Sequence, residues 1–532
     1  MEKKRELTLR GFLIGLLGLI IITASSLYVA LRMGALPWPT VFVTVVSFTI
    51  LKWFKNSTLE EINVTHTMMS SGAMVAGGVA FTLPGIWILN EGAQVSPLSL
   101  VLLTMVGALL GTLFTALSRK RFILEKELPY PMGQAAYNTL IAGTSKGQGG
   151  KLLFSALIIS VLFTLFRDGI PLIPAVLLLF AGNAFIAPIS IWVSPMAAGI
   201  GAIIGPTLSL TWLGGALFAY LVMTPAGIAL NLFSDMGAAD LFRQNLGIGL
   251  MVGTGVGILL KTAYQKIKGR EKRAKTPFNF KSKETLISAI IVLIAIIILT
   301  LFTEITFLQA IITILGIYLT TQLAATLTGE TGINPMEILG ILILLAVQIA
   351  FTPTTLAAFS IAGVTAIASG LTGDMMNDLK SGHLVGTSPK SQIIAEGVGG
   401  LIGSVVAIVA LFVLKEAYGG FSSEFLPAPQ ARAVTAMVGG LGHPIAFIAG
   451  LVIALALYFG NIPAATLGLG IYLPINISLI MGLGALLFIL FSAFSKKGQK
   501  ELVKERTALI ASGLLGGEGI SGVLLAIIAM FL

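Results

Sequence analysis

Stretches of about 20 apolar residues, the length an α-helix needs to cross the hydrocarbon core of a bilayer, follow one another from Arg10 almost to the last residue. Only 11% of the 532 residues are charged, 56% are hydrophobic, and mean hydropathy is +0.97. A soluble domain carries roughly 25% charged residues. No soluble domain is left once the apolar runs are set aside. Runs this continuous argue against a barrel, which would show short alternating segments. The chain is therefore expected to be an all-α polytopic membrane protein.

Spans are expected near 10–31, 36–54, 66–89, 97–118, 151–166, 172–192, 195–223 and 244–262. After them come 284–303, 307–327, 335–352, 355–372, 390–414, 431–459, 463–494 and 507–531. Long spans with internal Gly and Pro leave the total at roughly 14–16 helices. The net charge of +10 does not mark a nucleic-acid partner, because the basic residues sit at span ends. They cluster at Met1–Arg5, Arg119–Arg121, Lys261–Lys283 and Lys496–Arg506. By the positive-inside rule these segments, the N-terminus and the central linker included, are cytoplasmic, and the plasma (inner) membrane is the expected location. The five Trp residues (Trp38, Trp53, Trp87, Trp192 and Trp212) lie near span ends, where amphipathic rings settle. With no Cys there is no disulfide or thiolate chemistry. The first run lacks a convincing small-residue cleavage site and reads as a retained helix.

The chain also repeats itself. Ile62-Asn63 and Ala80-Phe81-Thr82 return as Ile333-Asn334 and Ala350-Phe351-Thr352, and Pro131-x-x-Gln134 returns as Pro389-x-x-Gln392. Gly199-x-Gly201, Ser209-Leu210 and Gly215-Ala216-Leu217 return as Gly468-x-Gly470, Ser478-Leu479 and Gly484-Ala485-Leu486, each 269 positions later. The order is kept throughout. Residues 1–262 and 284–532 are therefore expected to be two repeated transmembrane halves joined by the basic linker 263–283. Repeats of this kind are a mark of secondary transporters, with the substrate site between them. Matching Gly/Pro interruptions fall at Gly201 to Pro206 and Gly470 to Pro474. Broken helices at membrane depth belong beside a cavity or buried protein, although glycines there also serve close packing.

Ionisable residues in apolar surroundings are functional suspects. The densest set runs from Gly373 through Asp374, Asn377, Asp378, Lys380 and His383 to Gln392. It reads as a loop between two spans, either an ordinary cytoplasmic loop or one lining a cavity or gate. A second set is Asn334-Pro335-Met336-Glu337, where Glu337 opens a helix as a capping charge or as a substrate or proton group. Its counterpart holds Asn63 and His66, a histidine at the mouth of a span with a structural or a titrating role. Glu518, inside the last run, has no opposite charge close in sequence; it must face a cavity or partner or take up a proton. Glu396 and His443 are weaker candidates. No metalloprotease, nucleophile-elbow or Walker motif is present, which leaves a membrane-embedded enzyme or ATP-driven transport without support. A channel is disfavoured by the lack of charged rings.

At these motifs the chain resembles the oligopeptide transporter family, on the side that includes yellow-stripe-like metal-chelate transporters and their prokaryotic relatives. The resemblance covers nearly the whole chain. It rests on Ser26-Leu27-Tyr28 with Gly34, on Glu61-Ile62-Asn63 with Thr67, and on Leu128-Pro129-Tyr130-Pro131-Met132-Gly133. The more specific matches are Gly373-Asp374, Asp378-Leu379-Lys380-x-Gly382-His383, Pro389-x-x-Gln392, Gly470-Ile471-Tyr472-Leu473-Pro474 and Gly517-Glu518-Gly519. It implies about 16 helices in two related halves and proton-coupled import of small oligopeptides or peptide-like metal chelates. A symporter restricted to siderophore- or nicotianamine-like chelates is the narrower alternative. No cofactor is implied. With three His and no Cys there is no obvious site for a bare metal ion.

On this reading the substrate meets Gly201, Gly470 and Tyr472 at the broken helices and is oriented by Asn63, Asn334 and Glu337. Glu518, or the Asp374/Asp378 pair, binds the coupling proton, and Lys380, His383 and Gln392 belong to a gate or loop. The partners are substrate, protons and lipid, and a homo-oligomer is compatible with the sequence.

Overall fold

A computed structural model describes residues 6–34, 36, 40–145, 148–170, 172–183, 185–267, 283–331, 334–421, 426–439, 442–494 and 500–531. The helices in chain order are α1 (Leu9–Met33), α2 (Thr40–Leu51), α3 (Leu59–Thr82), α4 (Gly85–Leu89), α5 (Pro97–Arg119), α6 (Pro131–Ser145) and α7 (Gln148–Thr164). An antiparallel hairpin, β1 (Val176–Phe180) with β2 (Ile189–Trp192), precedes α8 (Pro195–Ile203), α9 (Pro206–Phe218), α10 (Thr224–Ala229) and α11 (Met236–Ile267). The chain continues with α12 (Lys283–Phe302), α13 (Phe307–Thr331), α14 (Met336–Ala350), α15 (Thr355–Val385), α16 (Pro389–Ala417) and α17 (Pro429–Gly439). It closes with α18 (Pro444–Phe459), α19 (Ala464–Tyr472), α20 (Ile475–Ala493) and α21 (Lys500–Phe531).

The protein is an all-α polytopic membrane protein. Ten of its described helical segments are long and apolar enough to cross a membrane. Several expected spans divide or change form. The run 195–223 breaks at Gly205, whose φ of +89° suits glycine, and Pro206 restarts the helix where its missing N–H costs nothing. The run 463–494 breaks at Leu473-Pro474, because proline cannot continue the helix before it. The expected span 172–192 is instead the hairpin, with register Val176 to Trp192. Pro174 and Pro188 bound its strands, and proline removes the donors a helix would need. Helix α6, 15 residues long, was not expected; it is shorter than a helix that crosses a bilayer. The linker 263–283 lies outside the described residues from 268 to 282, as do Met1–Arg5 and 495–499 of the basic clusters.

The chain forms two compact units, each drawn from both halves of the sequence. Unit 1 holds Met1–Lys151, Arg273–Val438 and Gly522–Leu532; unit 2 holds Leu152–Lys272 and Gly439–Ser521. In unit 1, α3 and α15 are central, with 89% and 94% of their most apolar windows buried, whereas α12 has 11% buried. The outward apolar side chains of α12, such as Leu293 and Leu301, suit a lipid surrounding, where apolar exposure carries no hydrophobic cost.

Unit 2 has an internal equivalence. A Cβ at Gly201 of α8 would collide with the carbonyl of Met481 in α20, and one at Gly470 of α19 with the carbonyl of Trp212 in α9. Gly484 likewise abuts Ala198, and Gly215 abuts Leu467. A shift of 269 positions carries Gly201 to Gly470, Trp212 to Met481, Ala198 to Leu467 and Gly215 to Gly484, so each contact maps onto its mate with the halves exchanged. Gly249 and Gly253 of α11 meet Phe447 and Leu451 of α18 as Gly513 and Gly517 of α21 meet Leu153 and Leu157 of α7. Only hydrogen in place of a side chain permits such backbone approach.

Candidate functional site

Unit 1 gathers a buried polar cluster from three helices. Asn63, His66, Thr67 and Ser70 recur on α3 at the spacing that keeps residues on one helical face, as do Asp374, Asn377, Asp378 and Ser381 on α15 and Gln392 and Glu396 on α16. All ten are nine-tenths or more buried. Nε2 of His66 lies 2.9 Å from Oδ1 of Asp378. Nδ2 of Asn63, a donor, lies 3.4 Å from Nδ1 of the same ring, which places the ring proton on Nε2, facing the carboxylate. Ser70 donates to the other oxygen of Asp378 at 3.0 Å. Asn63 donates to Ser381 at 2.8 Å, and Gln392 donates to the backbone carbonyl of Asp378 at 2.6 Å. Single oxygens of Asp374, Asp378 and Glu396 all lie within 4.8 Å of one another.

The segment expected as a loop, Gly373 to His383, is therefore helix. α15 runs unbroken to Val385, and the connection is only Gly386 to Ser388. Lys380 and His383 sit on its last turns, and Gln392 in the first turn of α16. Polar residues continue the helix because one face of it meets polar partners on α3, α6 and α16, which replace water for groups that would otherwise be costly to bury. The motif Leu128 to Gly133 serves the same assembly. Tyr130 donates to the carbonyl of Ala325 at 3.0 Å; burial pushes its hydroxyl's pKa up and keeps it a neutral donor. Pro131 starts α6, and Gly133 donates its N–H to Oδ1 of Asn377 at 3.0 Å, an approach in which a Cβ would strike the α15 backbone.

Asn63 and Asn334, repeat mates in sequence, behave alike. Each donates its amide N–H to α15, Asn334 to the carbonyl of Ser369 at 2.7 Å, and each keeps a buried Oδ1 with no partner among the described residues. Glu337 is half-buried in the first turn of α14.

Unit 2 holds Glu518, and there the carboxylate has partners. Nη2 of Arg167 lies 2.9 Å from its Oε1, Ser194 donates its hydroxyl to it at 2.9 Å, and the N–H of Met196 donates to Oε2 at 2.8 Å. Ser194 also caps α8, accepting the N–H of Ala197 at 3.0 Å. Arg167 is shared: its Nε donates to Asp168 at 2.7 Å and its Nη1 to the carbonyl of Val193 at 2.7 Å. At the other break, Arg243 donates to the carbonyls of Ile471 and Tyr472 at 2.5 and 2.6 Å, closing the C-terminus of α19. There Tyr472 takes part through its backbone. Gly201 and Gly470 abut neighbouring backbone, as above.

The sequence analysis did not single out Arg167 or Arg243, which stand at the ends of apolar runs. Both are buried, and the signal for each was an arginine directly flanking a Gly/Pro-rich break in the fold rather than in the sequence.

The sequence matches the family of OPT oligopeptide transporter proteins over residues 6–529. The chain belongs to that family. It is a membrane transporter and not an enzyme. A candidate oligopeptide transporter of Haemophilus influenzae is 26% identical over 590 residues, covering 94% of this chain and 92% of its own. The metal-nicotianamine transporter YSL2 of Arabidopsis thaliana is 40% identical over 63 residues, 12% of this chain and 9% of its own. YSL3 of the same plant is 40% identical over 48 residues, 9% of this chain and 7% of its own.

Proposed function

We propose that this transporter imports small oligopeptides, or peptide-like metal chelates, in symport with protons across the plasma (inner) membrane. The basic clusters support a cytoplasmic N-terminus and central linker. The similarity along 94% of the chain to a candidate oligopeptide transporter favours peptides; the short, stronger matches to metal-nicotianamine transporters favour chelates of the same backbone character. The unpartnered carbonyl oxygens of Asn63 and Asn334, with Glu337, suit the N–H and ammonium groups that both substrates carry.

The observation that supports proton coupling is Glu518, a carboxylate at full burial that contacts both Arg167 and the start of α8. A proton taken up there has a mechanical effect. The carboxylate accepts from Ser194 and Met196 at the start of α8, the first piece of the broken pair α8–α9. Protonation weakens the acceptor and loosens that helix start, which is a two-state element of the kind a symporter must bias. Asp374 and Asp378, buried in unit 1, are the alternative place for the coupling proton.

The test is proton influx into proteoliposomes, read by an internal pH dye, on adding di- to hexapeptides or iron and nickel chelates. Acidification with either class supports symport and selects the substrate. Glu518→Gln should abolish proton-driven accumulation while leaving substrate exchange. Full accumulation by that variant would remove Glu518 from the coupling, and silence with both classes would overturn proton symport.

A further inference from the structure

We propose that Arg243 and Tyr220 are positioning residues for transport: they hold the break between α19 and α20 fixed, so that of the two equivalent breaks in unit 2 the one at Gly205 is the joint that bends. This rests on the reading above, in which α8 responds to Glu518, and adds which joint gives way and what keeps its counterpart still.

The residues at the two breaks differ in freedom. Gly205 and Pro474 hold the same place, 269 positions apart. Proline fixes its own φ, −56° at Pro474, and restricts the residue before it, here Leu473. Glycine takes either sign of φ. Gly205 sits at +89°, and nothing lies within 4 Å of the place a Cβ would take. Part of the restriction that Pro206 puts on the residue before it acts through Cβ, which glycine lacks. Rotation at Gly205 is therefore open where rotation at Pro474 is closed.

The bracing differs as well. The last carbonyls of a helix have no partner within it. At the end of α19, Nη1 of Arg243 in α11 takes two of them, those of Ile471 and Tyr472. The guanidinium carbon also lies 4.7 Å from the centre of the ring of Tyr220, just after α9. Both side chains are buried, where charge-assisted bonds are strong.

The matching place beside α8 is set by packing. Gly199 abuts Ala511 of α21 as Gly468 abuts Gly247 of α11. Thr507, one turn before Ala511, thus answers to Arg243, one turn before Gly247. Ile489 answers to Tyr220, again 269 positions on. Neither Thr507 nor Ile489 carries a charge or a fork of donors. Among the described residues, the one side-chain hydrogen bond across the Gly205 break runs from Ser209 to the carbonyl of Gly201 at 2.6 Å. It is a neutral bond, worth about half a charge-assisted one. So α8 is tied to Glu518 at its start and free to turn at its end, whereas α19 is clamped at its end.

The experiment is amide hydrogen exchange of the full-length chain in lipid nanodiscs, read at Ile204 and Leu473. These amides are equivalent: each donates to the carbonyl four residues back in the last turn before a break, at 3.0 and 2.9 Å. Each rate is compared with that of the same residue in an unstructured peptide. Leu473 should be protected at least about tenfold more than Ile204, the effect of one hydrogen bond to a charged group on local opening. Arg243→Met should abolish that difference by lowering protection at Leu473 while leaving Ile204 unchanged. Should that variant fail to fold, Tyr220→Leu tests the same brace, and the comparison within the unaltered chain decides alone. Equal protection at the two amides, unchanged protection of Leu473 in both variants, or an equal loss at both amides, as a merely structural role would give, would each overturn the assignment. The readout is of the backbone, so either result leaves proton symport to its own test.

Discussion

Nε2 of His66 and Oδ1 of Asp378 stand 2.9 Å apart across 312 positions of sequence, and both side chains are fully buried. The pair joins α3 to α15, the two most enclosed helices of unit 1. Removing one partner leaves a buried charge uncompensated, at a cost of about 3–5 kcal/mol. His66→Ala should therefore lower the thermal midpoint in detergent markedly, and His66→Gln, which keeps a donor, should lower it less. Equal midpoints for both variants and the unaltered chain would show that the pair contributes nothing to the fold.

The start of α8 offers a smaller test. Ser194 caps the helix and also donates to Glu518. Ser194→Ala should cost about 1 kcal/mol for the cap and, if Glu518 governs α8, shift the proton dependence of uptake as well. Ser194→Thr keeps the hydroxyl and should restore both, measured by unfolding and by pH-dependent uptake.

Gly201→Ala and Gly470→Ala should be destabilising to a similar degree, about 1–3 kcal/mol as for overpacked cores, because each new methyl meets a carbonyl in the equivalent place. Gly214, in α9, has nothing near its missing Cβ; Gly214→Ala should be neutral or stabilising by up to about 1 kcal/mol. Unfolding of the three variants side by side decides the matter.

Asp235, exposed ahead of α11, accepts the N–H of Ala238 at 2.8 Å. That bond, with help from the Ser234 hydroxyl, holds its carboxyl below the usual range. A group depressed in the folded state stabilises fully above its unfolded pKa of about 3.9, and the contribution is lost as pH falls through the lower folded value. Hydrogen exchange at the Ala238 amide should accelerate on acidification. Asp235→Asn, which keeps the acceptor, should flatten that response.

The membrane-spanning class and the two helix breaks were legible because apolar length and Gly/Pro pairs act locally. The hairpin at Val176 to Trp192 was not, since apolar runs of that length suit a strand pair or a span until proline placement is weighed. The polar stretch after Gly373 read as a loop because its stabilisation comes from α3, α6 and α16, far away in sequence. His66, Asp374, Asp378 and Gln392 could each be named as suspects, yet only the fold brings them to Glu396. For Glu518, the requirement of a buried partner was plain, but Arg167 lies 351 positions earlier.

The exchanged glycine contacts of unit 2 have a historical meaning. A contact in which residue i meets j while the counterpart of i meets the counterpart of j is the signature of two identical chains associating across a two-fold axis. Joining them into one polypeptide removes the need for both copies to stay alike. The short helix α8 has a carboxylate–guanidinium pair, Glu518 with Arg167, at its head, whereas its counterpart α19 has Arg243 at its tail. In a single polypeptide the two sides can differ in this way, a division of labour that a homodimer, bound to change both sides at once, could not evolve.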